Sequence, residues 1–329
     1  MTVVVVGAGV VGLTCAVRLA EAGHRVRVVT REAPLDTTSA VAAAVWFAYR
    51  IEPPERVAAW AARTYRELCE LAVDEPESGV EMRELVAYSR SAKEAPSWRD
   101  VVEEFRWLEP DELPAGYASG WSARVPVAET PRYLPWLAVR LARAGGTIEV
   151  RAGGVPSLAA AAPGASLVVN CSGLGARTLA GDATMVPVRG QVVLVENPGL
   201  DRVALDEDEP AAPTYVIPRR DDCVLGGTAE IGAESLAPDP AVTEAIVARA
   251  VRLVPELAHA RRLGVRVGLR PGRSAVRLEL EPARAGDNLQ PPMPPVIHCY
   301  GHGGAGHTVA WGCADEVLAL AGRALDAAG

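Results

Sequence analysis

Apolar and polar positions along the 329-residue chain alternate between short β-branched runs and longer stretches of helical spacing. Thr2 to Val6 is an unbroken β-branched run, the pattern of a parallel strand covered on both faces. Leu13 to Ala20 has helical periodicity and ends at Gly23, and Arg25 to Thr30 is a second strand. Together they make a β-α-β unit of about 30 residues. Further helices are predicted at Arg56 to Leu71, Arg132 to Gly145, Val242 to Val254 and Ala310 to Leu325. In the first, Trp60, Thr64 and Leu68 stand one turn apart; in the second, Leu134, Leu137 and Leu141 share a face. Ser166 to Asn170, Val192 to Glu196, Thr214 to Ile217 and Val296 to Cys299 read as strands, the last behind a proline-rich linker from Pro291 to Pro295. Residues 74 to 130, rich in Pro, Ser, Gly and charge, predict short strands and loops. There is no internal repeat.

Composition narrows the class. At 49% apolar and 22% charged residues the chain is globular. A formal charge of −8 argues against a sequence-independent nucleic-acid binder, which needs a basic surface to displace counterions. Lys93 is the only lysine and lies in a polar, loop-like stretch, which argues against Schiff-base chemistry. Cys15, Cys69, Cys171, Cys223, Cys299 and Cys313 are dispersed without a C-x-x-C pair, the pattern of buried free thiols rather than of a zinc site or redox dithiol. The apolar N-terminus lacks the positive region of a signal peptide, and no run is long and apolar enough to span a membrane. A soluble cytoplasmic protein is expected.

Five segments can carry chemistry. Gly7-Ala8-Gly9-Val10-Val11-Gly12 lies between strand and helix. There the glycines allow a tight turn, a close backbone approach and close helix packing, and the helix N-terminus faces phosphate. Thr30 and Arg31 stand at the end of strand two, where an acid usually meets a ribose, with Glu32 next. Thr37-Thr38-Ser39 leads into the small residues Ala40 to Ala44; a planar ring could lie against these, although an Ala-rich core helix has the same composition. Val168 to Ala176 is a buried strand entering a small-residue turn around Ser172 and Gly173. In Gly268 to Glu279, alternation puts Ala275, Arg277 and Glu279 on one face, and an arginine within an apolar strand calls for an anion. A solvated strand face is the competing reading. Finally, Tyr300 to Thr308 holds four glycines before a helix start; its His302 and His307, five apart, have no carboxylate or thiol at ligand spacing, so no metal site is expected.

In this order the segments resemble the D-amino-acid oxidase family of FAD-dependent enzymes. The carrying residues are Val5 to Leu13, Pro34 to Ser39 with Val41 to Ala43, Val169 to Gly173, Arg189-Gly190-Gln191, Tyr215 to Pro218 with Leu225-Gly226-Gly227, Arg270-Pro271 with Arg277-Leu278-Glu279, and His298 to Gly304 through Thr308 and Trp311 to Ala314. The resemblance implies an α/β fold: a Rossmann-like FAD-binding domain with a second α+β substrate domain on a mixed or antiparallel sheet. Residues 1–45, 133–182 and 275–329 would form the first and residues 46–132 and 183–274 the second.

The resemblance further implies that Arg277 pairs with the substrate carboxylate, Tyr215 adds a hydroxyl and the Gly304 carbonyl holds the amine. FAD would be held by Gly7, Ala8, Gly9, Val10, Val11 and Gly12, by Thr30 and Arg31, by Thr37, Thr38 and Ser39, and by Ala42, Ala43 and Ala44. Val155, Ser172 and Gly173 would lie near the adenosine, and Gly303, Gly304, Gly306 and Thr308 near the isoalloxazine. Departures from the family pattern stand at Thr30, Ala211, Ala305 and His307. The expected reaction is oxidation of neutral, apolar D-amino acids by dioxygen to 2-oxo acids, ammonia and hydrogen peroxide. No residue is assigned as a catalytic acid or base, and a homodimer is the assembly considered. D-Aspartate oxidase, a glycine or sarcosine oxidase and, from another class, an NAD-dependent dehydrogenase are the alternatives. Asp206 to Pro210 disfavours an acidic substrate, whereas Arg219 and Arg220 keep it open.

Overall fold

The computed structural model describes residues 1–48, 51–91, 95–206, 208–286 and 292–326, so Lys93 and Pro291 lie outside the described residues. The chain opens with β1 (Thr2–Val6), α1 (Val10–Glu21), β2 (Arg25–Thr30) and the short α2 (Thr38–Val41). Next come α3 (Pro54–Asp74), β3 (Val80–Ser89), β4 (Glu103–Trp107) and β5 (Ser119–Ala128). They lead to α4 (Thr130–Arg143), β6 (Thr147–Val150), α5 (Leu158–Ala161), β7 (Leu167–Asn170) and α6 (Ala176–Leu179). The strands β8 (Val186–Glu196), β9 (Val203–Asp206), β10 (Thr214–Pro218), β11 (Asp222–Gly226) and β12 (Glu230–Ile231) precede α7 (Pro240–Leu253). The last elements are β13 (Arg262–Gly272), β14 (Arg277–Glu281), β15 (Val296–Tyr300) and α8 (Gly306–Asp326).

Two sheets result. The first has the order β14-β15-β7-β1-β2-β6, and all its pairs are parallel except β14 with β15. Val3, Val4 and Val5 of β1 and Leu167, Val168 and Val169 of β7 are completely buried, as strands covered on both faces must be. The second sheet runs β12-β8-β11-β10-β9-β3-β5-β4, with β13 also paired to β8. It is antiparallel except where β3 runs beside β9. An α/β fold with a mixed second sheet is therefore observed, as expected.

Between residues 74 and 130 the structure departs from the expected short strands. β3 and β5 are ten residues each and pair over their whole length, from Val80↔Ala128 to Ser89↔Ser119. Glu81, Arg83 and Glu84 hide the strand pattern; Arg83 and Glu81, two apart on one face, meet at 2.6 Å while the backbone ladder continues beneath them. Helix boundaries shift as well. α3 starts at Pro54, whose fixed φ suits a first helical turn, and α8 starts at Gly306 rather than Ala310.

The helices α1, α3, α4 and α8 share the largest apolar core, where Leu13, Leu134, Leu137, Leu141 and Trp311 are fully buried. Burial of each such leucine contributes about 1.5–3 kcal/mol. α3 crosses α8 backbone to backbone: a Cβ at Gly312 would lie 2.3 Å from Trp60 Cα. The Gly312 N–H donates to Thr64 Oγ1 at 3.0 Å. Trp60 and Thr64, read from the sequence as one helical face, thus pack on the closing helix.

Candidate active site

β1 delivers the chain into a turn that only glycine tolerates. Gly7 has φ +110°, and a Cβ there would lie 2.5 Å from the Cys171 carbonyl oxygen. A Cβ at Gly12 would lie 2.0 Å from the Gly7 carbonyl oxygen, so α1 presses directly on the turn. The Val10 N–H donates to Ser39 Oγ at 3.0 Å, which fixes the Thr37-Thr38-Ser39 stretch against the start of α1. The remaining N–H groups of the first turn and the helix dipole offer a seat for an anion.

This turn borders a cavity of about 670 Å³. Every candidate site residue from the sequence lines it except Arg277. Thr30 donates its hydroxyl to the Glu32 carbonyl oxygen at 2.9 Å, and Arg31 pairs with the Glu32 carboxylate at 2.7 Å. Glu32 itself borders the cavity. An acid is therefore present at the end of β2, two positions beyond Thr30.

The glycine loop after β15 forms the opposite wall. Gly301 and Gly303 take the left-handed conformation, at φ +85° and +53°. Thr308, from the first turn of α8, donates to the Phe47 carbonyl oxygen at 2.8 Å and accepts from the Phe47 N–H at 3.2 Å. His307 Nε2 lies 3.0 Å from the Ser39 carbonyl oxygen, which only accepts, so Nε2 carries the proton and Nδ1 is an acceptor. That Nδ1 is buried and has no partner in the protein. Burial pushes the His307 imidazole down to about 4, against the opposing effect of its bond to Ser39. A neutral acceptor thus borders the same cavity as the helix N-terminus and the three hydroxyls, a donor and acceptor set that fits FAD.

The far end is built from the second sheet. Arg270 of β13 is half-buried and donates to the Thr228 carbonyl oxygen at 2.8 Å. Among the described residues no carboxylate pairs with it. Its guanidinium fits over Gly190 of β8, where a Cβ would lie 2.3 Å from Nη1. Tyr215 of β10 lies over Gly226 in the same way, with a Cβ there 1.8 Å from its ring. Val192, Leu205, Pro213, Ile217 and Phe47 complete an apolar wall, and Trp98 packs edge-on against Phe47.

Arg277, expected in this position, points elsewhere. It donates to Tyr300 Oη at 2.8 Å and to Glu279 at 2.7 Å, with Glu281 at 3.8 Å, so its charge is already balanced. The alternation that paired Arg277 with Glu279 is correct, but β14 is the edge of the first sheet and that face turns away from the cavity. Pro271-Gly272 ends β13 in the second sheet before β14 begins. Arg273 is occupied too, 3.0 Å from Asp182. Burial disfavours the Asp182 carboxylate, yet hydrogen bonds from Thr184, Tyr300 and Arg273 outweigh it and hold its pKa well below the usual range.

All six cysteines are free, and five are buried. They are not dispersed in space. Cys15, Cys171 and Cys299 form one group with sulfurs within 4.8 Å of one another, and Cys299, His302 and Cys313 form another. The order β15-β7-β1 places the end of β15 next to β7 and α1, which sequence spacing does not show.

Comparison with known proteins agrees with this geometry. The chain matches the FAD dependent oxidoreductase family over residues 2–320. It is 53% identical to a D-amino-acid oxidase of Rubrobacter xylanophilus over 98% of this chain and 96% of that one. To a D-amino-acid oxidase of Streptomyces coelicolor it is 48% identical, over 97% and 96% of the two chains. The crystal structure of glycine oxidase from Bacillus cereus superposes with a TM-score of 0.75 at 18% identity, covering 98% of this chain and 95% of that one.

Proposed function

The chain belongs to the FAD dependent oxidoreductase family, and from that premise we propose that it is a D-amino-acid oxidase acting on neutral, mainly apolar substrates. The observation that carries this reading is Arg270, a half-buried guanidinium without a carboxylate partner among the described residues, beside Tyr215 in an apolar end of the cofactor cavity. A guanidinium fork binds a carboxylate bidentately, and the Tyr215 hydroxyl adds a third polar contact. Arg270 thus takes the role that the sequence assigned to Arg277. Gly304 borders the same cavity, and its carbonyl would accept from the substrate amine. With carboxylate and amine both fixed, one enantiomer aims its Cα–H at the cofactor, an orientation effect that needs no protein base.

FAD supplies the hydride acceptor when bound, and dioxygen is the final oxidant. Gly7 to Gly12 would hold its diphosphate, Glu32 and Thr30 its ribose, and Arg31, Val155, Ser172 and Gly173 its adenosine. Thr37, Thr38, Ser39 and Ala42 to Ala44 would flank the rest of the cofactor, with His307 Nδ1 available as an acceptor. Gly303, Gly304, Gly306 and Thr308 would lie by the ring.

The same reading divides the chain into a cofactor part, residues 1–45, 133–182 and 275–329, and a substrate part, residues 46–132 and 183–274. In support, every strand of the first sheet comes from the former and every strand of the second from the latter. α3 is the bridging element, packed on α8. No helix among the described residues is long and apolar enough to cross a membrane; we place the enzyme in the cytoplasm, as a homodimer.

An acidic substrate would need a second cation by the clamp. Arg31 and Arg270 are the only arginines lining the cavity among the described residues, and Arg31 lies beside Gly154 and Glu32. Arg219 is held by Asp222 at 2.6 Å, and Arg220 lies 3.5 Å from Glu81. Incubation of the holoenzyme with a panel of D- and L-amino acids, read by peroxide release, tests the assignment. Turnover of apolar D-amino acids is expected; a preference for D-aspartate, or for L-enantiomers, overturns it.

A further inference from the structure

Outside the cofactor and clamp residues, two cysteines and a histidine converge on one point. Cys299 is the penultimate residue of β15, His302 sits in the turn that follows, and Cys313 lies two turns into α8. The Cys313 sulfur is 3.6 Å from His302 Nε2, and the Cys299 sulfur is 3.9 Å from the same nitrogen. All three ligand atoms lie within 4.8 Å of one another. Around a tetrahedral zinc ion, with Zn–S of about 2.3 Å and Zn–N of about 2.0–2.1 Å, the S···N edges are about 3.6 Å and the S···S edge about 3.8 Å. The imidazole nitrogen and both sulfurs therefore need to move by only a few tenths of an ångström to about one ångström to enclose an ion.

Charge selects this set over its neighbour. Zn²⁺ with two thiolates and a neutral imidazole has no net charge, which suits side chains exposed by only 0–4%. Cys15, Cys171 and Cys299 would surround the same ion with three thiolates and leave a negative charge in the apolar core. Access exists as well, because Cys299 and His302 both border the cavity.

We propose that Cys299, His302 and Cys313 bind one zinc ion behind the wall of the cofactor cavity, tying the loop after β15 to α8. Binding releases the two thiol protons to solvent and leaves the cysteines reduced. To test this, purified holoenzyme is incubated with zinc, freed of excess metal, and assayed for metal and flavin per chain. About one zinc per chain is expected in the parent, falling at least about tenfold in Cys313→Ser and in Cys299→Ser, with Cys69→Ser as the unchanged control. Cobalt in place of zinc should give thiolate-type tetrahedral bands to the red of the flavin absorption, and these should vanish in His302→Gln. Parent holoenzyme that retains less than about a tenth of an equivalent of metal overturns the proposal. So does equal metal retention in Cys313→Ser. Should the cysteine variants fail to fold, a parent cobalt spectrum without sulfur character overturns it in their place.

Discussion

The two ends of the cavity use glycine to admit different neighbours. At the turn after β1, Gly7 and Gly12 let backbone pack on backbone, against the Cys171 and Gly7 carbonyls, and Gly9 makes room for Ser39, so the turn closes tightly on itself. At the clamp, Gly190 and Gly226 clear space for the protein's own side chains, Arg270 and Tyr215. The first end is local, a single strand-turn-helix in which backbone N–H groups do the binding. The second joins β8, β10, β11 and β13, and its polar atoms belong to side chains that lie flat only because the neighbouring strand has no Cβ there. A site of the first kind fails through its own sequence. A site of the second kind can fail through a residue that never touches the ligand.

Substitutions at each end should separate the two behaviours. The largest effect is expected for Gly12→Ala, whose Cβ would sit 2.0 Å from the Gly7 carbonyl oxygen. The purified variant should carry no flavin absorbance and lose about 3 kcal/mol or more of stability in a urea melt. Full flavin content would show that the turn has room to spare.

Arg270→Ala should keep its flavin while kcat/KM for apolar D-amino acids falls roughly 30- to 5,000-fold, the equivalent of about 2–5 kcal/mol. Arg277→Ala should change it by less than about threefold, because surface ion pairs of this kind contribute little. The reverse ranking of these two variants would return the clamp to β14. Gly190→Ala tests the indirect dependence: displacing the guanidinium by about 1 Å should cost roughly 10- to 100-fold in kcat/KM with flavin binding intact.

The smallest effect concerns His307. In the unfolded chain an imidazole titrates near 6.5, whereas in the fold it titrates at about 4. Between those values the unfolded chain takes up a proton that the folded chain refuses, so stability falls as pH drops from 6.5 towards 4. His307→Leu should flatten that part of the apo-protein's stability curve, measured by urea melts across the range. An unchanged slope would assign it to other groups.

The same contrast explains what could be read in the sequence. The first sheet and the cradle follow from contiguous signals: the β-branched run of β1, the glycine spacing, and the small-residue turn at Ser172 and Gly173. The clamp did not follow, because strand parity treats residues 268 to 279 as one strand when two sheets share that segment. Pro271-Gly272 was the available signal, a pair that interrupts a strand. Glu32 was legible beside Thr30 and Arg31 but received no role, because it stands two residues beyond the expected position. The long pairing of β3 with β5 was hidden because charged residues on one face obscure a period of two. Cys299 and His302 stand three apart in the sequence, but their gathering with Cys313 needs the fold, since α8 folds back onto the strand that precedes it.

Strand order also has a consequence for biosynthesis. β15 is synthesised well after β1 and β7, yet it lies beside β7, and the loop after it forms one wall of the cavity. The glycine turn after β1 is made long before that wall. The cavity therefore closes only once the segment from Val296 to Thr308 has followed. A nascent chain truncated before Val296 has a nucleotide turn but no closed cavity in which to retain the nucleotide.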